Sequence, residues 1–201
     1  LFPSPTIHIG GASTDWGAWE SDSSLMRAGL GSGAVIERLF IDRALRALHF
    51  HGRRAVAWDT LTMAYPTPPP GTILLAHRPG DAGRRAAESS GAPWVLADAD
   101  ILTLSHPGRV NNALELGRTL PDRLTHALRG ERLKGVEAVA WSSAITTPDL
   151  LFYHLLPRLL VVAEAAWHGE NSLSWEKLAP LIEHEMAHLR RTVPYWNPQQ
   201  P

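Results

Sequence analysis

The feature that most constrains this chain is a set of short, mostly continuously apolar runs, several of them ending on a polar or aromatic residue. They are Arg54-Ala-Val-Ala-Trp-Asp59, Thr72-Ile-Leu-Leu-Ala-His77, Trp94-Val-Leu-Ala97 and Gly135-Val-Glu-Ala-Val-Ala-Trp141. A strand that is apolar at nearly every position is buried on both faces, as a parallel strand covered by helices is. A fifth run, Thr6-Ile-His-Ile-Gly-Gly11, alternates and ends on a glycine doublet. Between these runs the period changes. Val35, Ile36, Leu39, Phe40, Ala44, Leu45 and Leu48 fall on one helical face, with Glu37, Arg38, Asp42, Arg43 and Arg46 elsewhere. Further helices are predicted over 81–89 with Gly91 as a stop, over 120–128, from Pro148, over 157–167 and over 174–191. Residues 12–32, rich in Gly, Ser and Asp, read as a long loop. The alternation predicts an α/β fold with five strands centred near Ile7, Val56, Leu74, Val95 and Val139. No repeat or linker divides it, so residues 1–201 are expected to form a single domain.

Composition removes several functions. Lys and Arg total 19 against 20 Asp and Glu, for a net charge of -1, which points to neither a nucleic-acid nor an anionic-membrane partner. No apolar stretch is long enough for a transmembrane helix, so no membrane role is expected. The absence of cysteine excludes disulfides, thiol catalysis, Cys-ligated zinc and iron–sulfur clusters, and no cofactor is expected. The chain opens on Leu1 without a signal-peptide pattern, so it reads as a fragment or a processed product, and its compartment stays open.

In α/β folds the carboxyl ends of the strands hold the site. Here those ends carry Trp58-Asp59, His77-Arg78, Asp98 and Trp141. Eight tryptophans are many for 201 residues. Indole rings stack on sugar faces, and a Trp-rich core is the plainer alternative. Trp58 and Trp141, each ending a strand, are read as mouth residues rather than core. Trp16 and Trp19 serve either a ligand or local loop packing, and Trp94, Trp167, Trp175 and Trp196 are expected to be structural. His184-Glu185-Met186-Ala187-His188 matches the HExxH zinc-protease pattern. Such a site needs a third ligand, and the thirteen residues after His188 contain no His, Asp or Glu. No metal site is therefore expected.

Four stretches, in this order, resemble the family 20 glycoside hydrolases, the β-N-acetylhexosaminidases. They are His8-Ile-Gly-Gly11, Trp58-Asp59, Gly135-Val-Glu-Ala-Val-Ala-Trp141-Ser142, and Pro157-Arg-Leu159 with Ala163-Glu-Ala-Ala-Trp167. The resemblance implies a partial (β/α)8 TIM-type barrel, with this chain supplying about strands 4–8 and their outer helices. It also implies substrate-assisted chemistry, in which the substrate's own 2-acetamido oxygen is the nucleophile. A Glu protonates the leaving oxygen, and the Asp before it orients and charge-stabilises the acetamide. Those two residues follow His-x-Gly-Gly directly, and the corresponding positions here are Ala12 and Ser13. Of the family's three caging tryptophans, two match Trp58 and Trp141, and the third position holds His77. The family's Tyr and Asp after the seventh strand have no clear counterpart in Asp100-Ile-Leu-Thr-Leu-Ser-His106, and its Trp-x-Glu becomes Trp141-Ser142-Ser143.

The resulting expectation is a hexosaminidase-like barrel segment without hydrolytic activity, with weak N-acetylhexosamine binding or a structural role. Expected substrate contacts are His8, Trp58, Asp59, His77, Arg78, Trp141 and Ser143. Two rivals stand: an active exo-β-N-acetylhexosaminidase, with Asp15 or Glu20 as fallback acids, and an interaction protein with no ligand. An incomplete barrel leaves open strand edges. A homo-oligomer or a companion chain supplying the missing strands is therefore expected.

Overall fold

The computed structural model describes residues 3–12, 14–105, 113–128 and 132–192. Five strands, β1 (Thr6–His8), β2 (Arg54–Trp58), β3 (Ile73–Ala76), β4 (Trp94–Leu96) and β5 (Leu133–Val136), alternate with helices and lie in the order β1-β2-β3-β4-β5. The chain gathers into two compact units, Leu1–Val95 and Leu96–Pro201.

In the first unit β1 pairs parallel with β2, and β2 with β3, in the register His8 opposite Val56 and Trp58 opposite Leu75. Successive residues of a strand face opposite sides. Ala55 and Ala57 are accordingly buried, while Val56 and Trp58 on the other side are half-buried. The crossover from β1 to β2 is α3 (Gly33–Phe50), as its apolar period predicts. The Ser32 hydroxyl accepts from the Val35 amide and caps its first turn. Gly33 is required by close approach, because a Cβ there would lie 2.3 Å from that of Trp16.

The loop expected over 12–32 contains two short helices, α1 (Trp16–Glu20) and α2 (Ser23–Arg27). Asp15 and Asp22 are their N-caps, so acids that read as loop polarity are helix starts. Hydrogen bonds from the Ser24 hydroxyl and from the Ser24 and Leu25 amides hold the Asp22 carboxyl below its usual range. A further short helix, α4 (Leu61–Ala64), follows β2. After β3, α5 (Ala82–Ser90) starts from Asp81 in the left-handed region and stops at Gly91, also left-handed. Gly83 in its first turn backs onto the exit of β3.

In the second unit, α6 (Ala113–Leu128) packs chiefly against α8 (Arg158–His168). Leu116 and Leu120 of α6 meet a layer to which α8 contributes Val161, Val162 and Ala165, all buried. α7 (Pro148–Leu155) opens on the Pro predicted to start it. α9 (Trp175–Thr192) buries Leu178, Ile182 and Met186, a stripe spaced by four. Trp175 lies over Gly117 of α6, where a Cβ would come within 2.5 Å of the indole. Arg158 is 7% exposed and donates to the carbonyls of Leu104 and His154. Burial pulls its pKa down from the ordinary guanidinium value.

The last strand begins earlier than expected. Its ladder covers Leu133–Val136, and Val139, the expected centre, makes an isolated parallel bridge to Thr103. The cause is the partner. Beyond the Glu137 amide, which bonds the Leu96 carbonyl, the backbone runs along residues 102–104, which belong to no strand.

Gly83 offers a test of the α5–β3 packing. A Cβ there would lie 2.8 Å from the Arg78 nitrogen and 2.9 Å from that of His77, both backbone atoms that cannot move aside cheaply. Gly83→Ala is expected to lower unfolding free energy by about 1–3 kcal/mol, read from denaturant unfolding. An unchanged midpoint would contradict this packing.

Candidate functional site

The three strand ends of the first unit carry a row of rings. Trp58 lies between His8 and His77, with ring centroids 5.1 Å and 4.8 Å away and planes inclined by 69° and 45°. Backbone bonds fix the row. The Trp58 amide donates to the Gly10 carbonyl at 3.0 Å, and the Gly10 amide donates to Nδ1 of His8 at 3.1 Å. Gly10 and Gly11 both have φ near +80°, which the sharp turn after β1 requires and which glycine alone adopts without strain. The Thr60 hydroxyl donates to the Gly11 carbonyl and ties this turn to the end of β2.

Asp59, next to Trp58, is fully buried. One carboxylate oxygen accepts from the amides of His77 at 2.7 Å and Arg78 at 3.1 Å, and the other from Nε of Arg78 at 2.5 Å. Sequence reasoning placed Asp59 and Arg78 among ligand contacts. In the structure they form a pair with each other, with Arg78 one-third exposed, and together they hold the end of β3 beside that of β2.

Ala12 has no ionisable group and lines a cavity of about 470 Å³ in this unit. Ser13 lies outside the described residues, as do His106 and Trp196. The fallback acids are engaged in the loop itself. Asp15 accepts from the Gly17 amide at 3.0 Å as the cap of α1, and Glu20 accepts from the Gly33 amide at 2.9 Å at the start of α3. The fold also brings in a carboxylate that sequence reasoning missed. Glu37 lines the same cavity as Ala12, accepting from the Thr14 hydroxyl at 2.9 Å and from the Trp16 indole at 2.7 Å. It anchors the loop to α3. Its place on the polar side of an amphipathic helix gave no sign of this.

In the second unit Trp141 is 38% exposed, and its amide donates to the Ser105 hydroxyl at 2.8 Å. The following 3-10 turn, Ser142–Ala144, presents Ser143 at the surface. Trp94 is fully buried and Trp175 is packed, as expected of structural tryptophans. Trp167 is the exception at 87% exposed, because it falls off the face of α8 that carries Val161 and Ala165. His184 and His188 are exposed on α9. Among the described residues there is no group of three or more His, Asp or Glu that could hold a metal ion.

The chain matches known proteins along most of its length. A model of the glycosyl hydrolase family 20 catalytic domain matches residues 1–170. A beta-hexosaminidase of Porphyromonas gingivalis is 26% identical over 184 residues, which is 83% of this chain and 23% of that protein. A beta-hexosaminidase of Akkermansia muciniphila is 23% identical over 208 residues, covering 95% of this chain and 42% of its own. The crystal structure of the exo-β-N-acetylglucosaminidase from Vibrio harveyi, solved in complex with N-acetylglucosamine, superposes with a TM-score of 0.79. It covers 99% of this chain and 34% of that one at 19% identity, a likeness of fold. The chain thus spans less than half the length of these relatives, and its α/β fold is the one expected of part of a (β/α)8 barrel.

Asp59 can be tested directly. Asp59→Ala leaves two amides and one guanidinium nitrogen without their acceptor, and is expected to cost about 1.5–3 kcal/mol of stability, the range for hydrogen bonds to a charged group. Arg85→Ala, at an exposed position on α5, serves as the control. Equal stability of the two variants would show that the Asp59 bonds do not hold these strand ends.

Proposed function

Because this chain belongs to glycosyl hydrolase family 20, we propose that it carries the sugar-facing aromatic wall of that family at Trp58 without the proton donor that cleavage needs. The reading is a hexosaminidase-like segment that holds an N-acetylhexosamine weakly and leaves its glycosidic bond intact. The observation that carries it is the state of the acids around Ala12. A leaving alkoxide must receive a proton from a group within hydrogen-bond reach. Ala12 and Ser13, at the positions of the family's Asp and Glu, carry no acidic group, and Asp15, Glu20 and Glu37 are each bonded to backbone amides or side-chain donors within the loop and α3.

Binding asks less of the site. A half-buried indole flanked by two imidazoles offers a flat apolar face with polar edges, which suits the apolar face and the hydroxyls of a pyranose. His77 in place of a third indole supplies a smaller, more polar wall, and weaker binding follows from the lost stacking area. Trp141 and Ser143 are the further contacts proposed in the second unit, with His8 and His77 beside Trp58.

β1 is an edge strand in the observed order, and Phe40 and Phe50 on α3 are 65% and 84% exposed. Unpaired edges and open apolar side chains favour association. The proposal therefore includes a covering partner, a second copy or a companion polypeptide that supplies further strands. In sedimentation a species heavier than the 22.1 kDa chain is expected, and a compact monomer would remove this part of the reading.

Saturation-transfer NMR with N-acetylglucosamine tests the binding. Signal is expected for the intact chain, and Trp58→Ala should weaken binding by about 1–3 kcal/mol, taking the stacking of rings on bases as the guide. A signal of equal strength in Trp58→Ala, or none in the intact chain, would overturn the aromatic wall.

A further inference from the structure

The first unit has a second concave region, near the start of β2 rather than its end. It is a cavity of about 660 Å³ formed by the last turns of α3, the first residues of β2 and the Pro69-Pro70 turn. Its charge is one-sided. Arg46, Arg53, Arg54 and His49 line it, against a single carboxylate, Asp42, that already accepts the Tyr65 hydroxyl. Among the described residues no carboxylate lies within ion-pair distance of Arg46, Arg53 or Arg54.

The sequence builds this grouping in two ways. Residues 42, 46 and 49 share one face of α3, spaced by four and three. Arg53 then precedes β2 and Arg54 begins it, after the turn at Gly52. Two of the side chains are held in place. Arg53 donates to the Ser4 carbonyl, and the Arg54 stem lies over Gly71, where a Cβ would come within 3.1 Å of its Cδ. Gly71 has φ +81°, so both the turn and the space above it depend on glycine.

Three guanidinium groups lining one concavity, none of them paired with a carboxylate, repel each other until an anion joins them. A guanidinium fork matches the oxygen spacing of a phosphoryl group and binds it through paired charge-assisted hydrogen bonds. The cavity lies within the range that holds a small organic molecule. The exposed Phe50 ring and the two prolines give it an apolar flank. We propose that this cavity is a binding site for a phosphoryl group, free or carried on a compact organic body. It is separate from the Trp58 row. Arg54 and Trp58 are the two ends of β2, about 13 Å apart at the usual rise of a strand. The proposal rests on neither the aromatic wall nor the missing acid.

Calorimetric titration of the full chain with inorganic phosphate and with phenyl phosphate, at low salt, tests it. Binding is expected, and it should weaken as salt is added because the arginines are solvent-facing. Arg46→Gln and Arg54→Gln should each weaken it about tenfold, the worth of one charge-assisted bond. Arg85→Gln, which removes the same charge elsewhere, should leave it unchanged. Tighter binding of phenyl phosphate assigns the organic body to the apolar flank, and equal binding assigns the free ion. Absence of heat at millimolar ligand, or an equal loss in Arg85→Gln, would overturn the site.

Discussion

The buried carboxylate of Asp59 is the constraint on which the strand ends of the first unit depend. A carboxylate removed from water is tolerated only when its oxygens are fully engaged. Asp59 meets that condition by accepting from two successive amides just beyond β3 and from Nε of Arg78. The same bonds set where His77 can stand, and His77 is one wall of the ring row. The second unit contains the reverse case. Arg158 is a buried cation that donates to two backbone carbonyls, and it ties the start of α8 to the segment around Leu104. In both units a charged side chain buried at a junction fixes irregular backbone.

This use of charge explains the condition of the acids near Ala12. The two short helices between β1 and α3 bury none of their residues. The segment is ordered by carboxylates instead: Asp15 and Asp22 start its two short helices, Glu20 caps α3, and Glu37 receives Thr14 and Trp16. A carboxylate that accepts from backbone amides at a helix start gives this segment its order.

Periodicity made the frame legible. β2, β3 and β4 are near-continuous apolar runs, and α3 repeats its apolar face over 18 residues, so each could be placed to within a residue or two. α1, α2 and α4 are four or five residues long, too short for any period to show. β5 was displaced because its later residues pair with a non-strand segment, which no local pattern reveals. At the strand ends of the first unit the grouping of His8, Trp58 and His77 followed from where the apolar runs stop, and the direction of the acids did not. Asp59, next to Trp58, turns inward, and Glu37, 25 residues beyond Ala12, lines the same cavity as Ala12 only through the packing of α3. Trp167 shows the same limit, since an apolar residue in a helical run can still fall off the buried face.

The central proposal is that, among the described residues, no side chain near the glycine doublet delivers a proton to a glycosidic oxygen. Incubation of the pure chain with nitrophenyl N-acetyl-β-glucosaminide measures this most directly. The account predicts no nitrophenol above the buffer blank. Steady release that disappears when Asp15, Glu20 or Glu37 is changed to its amide would contradict it.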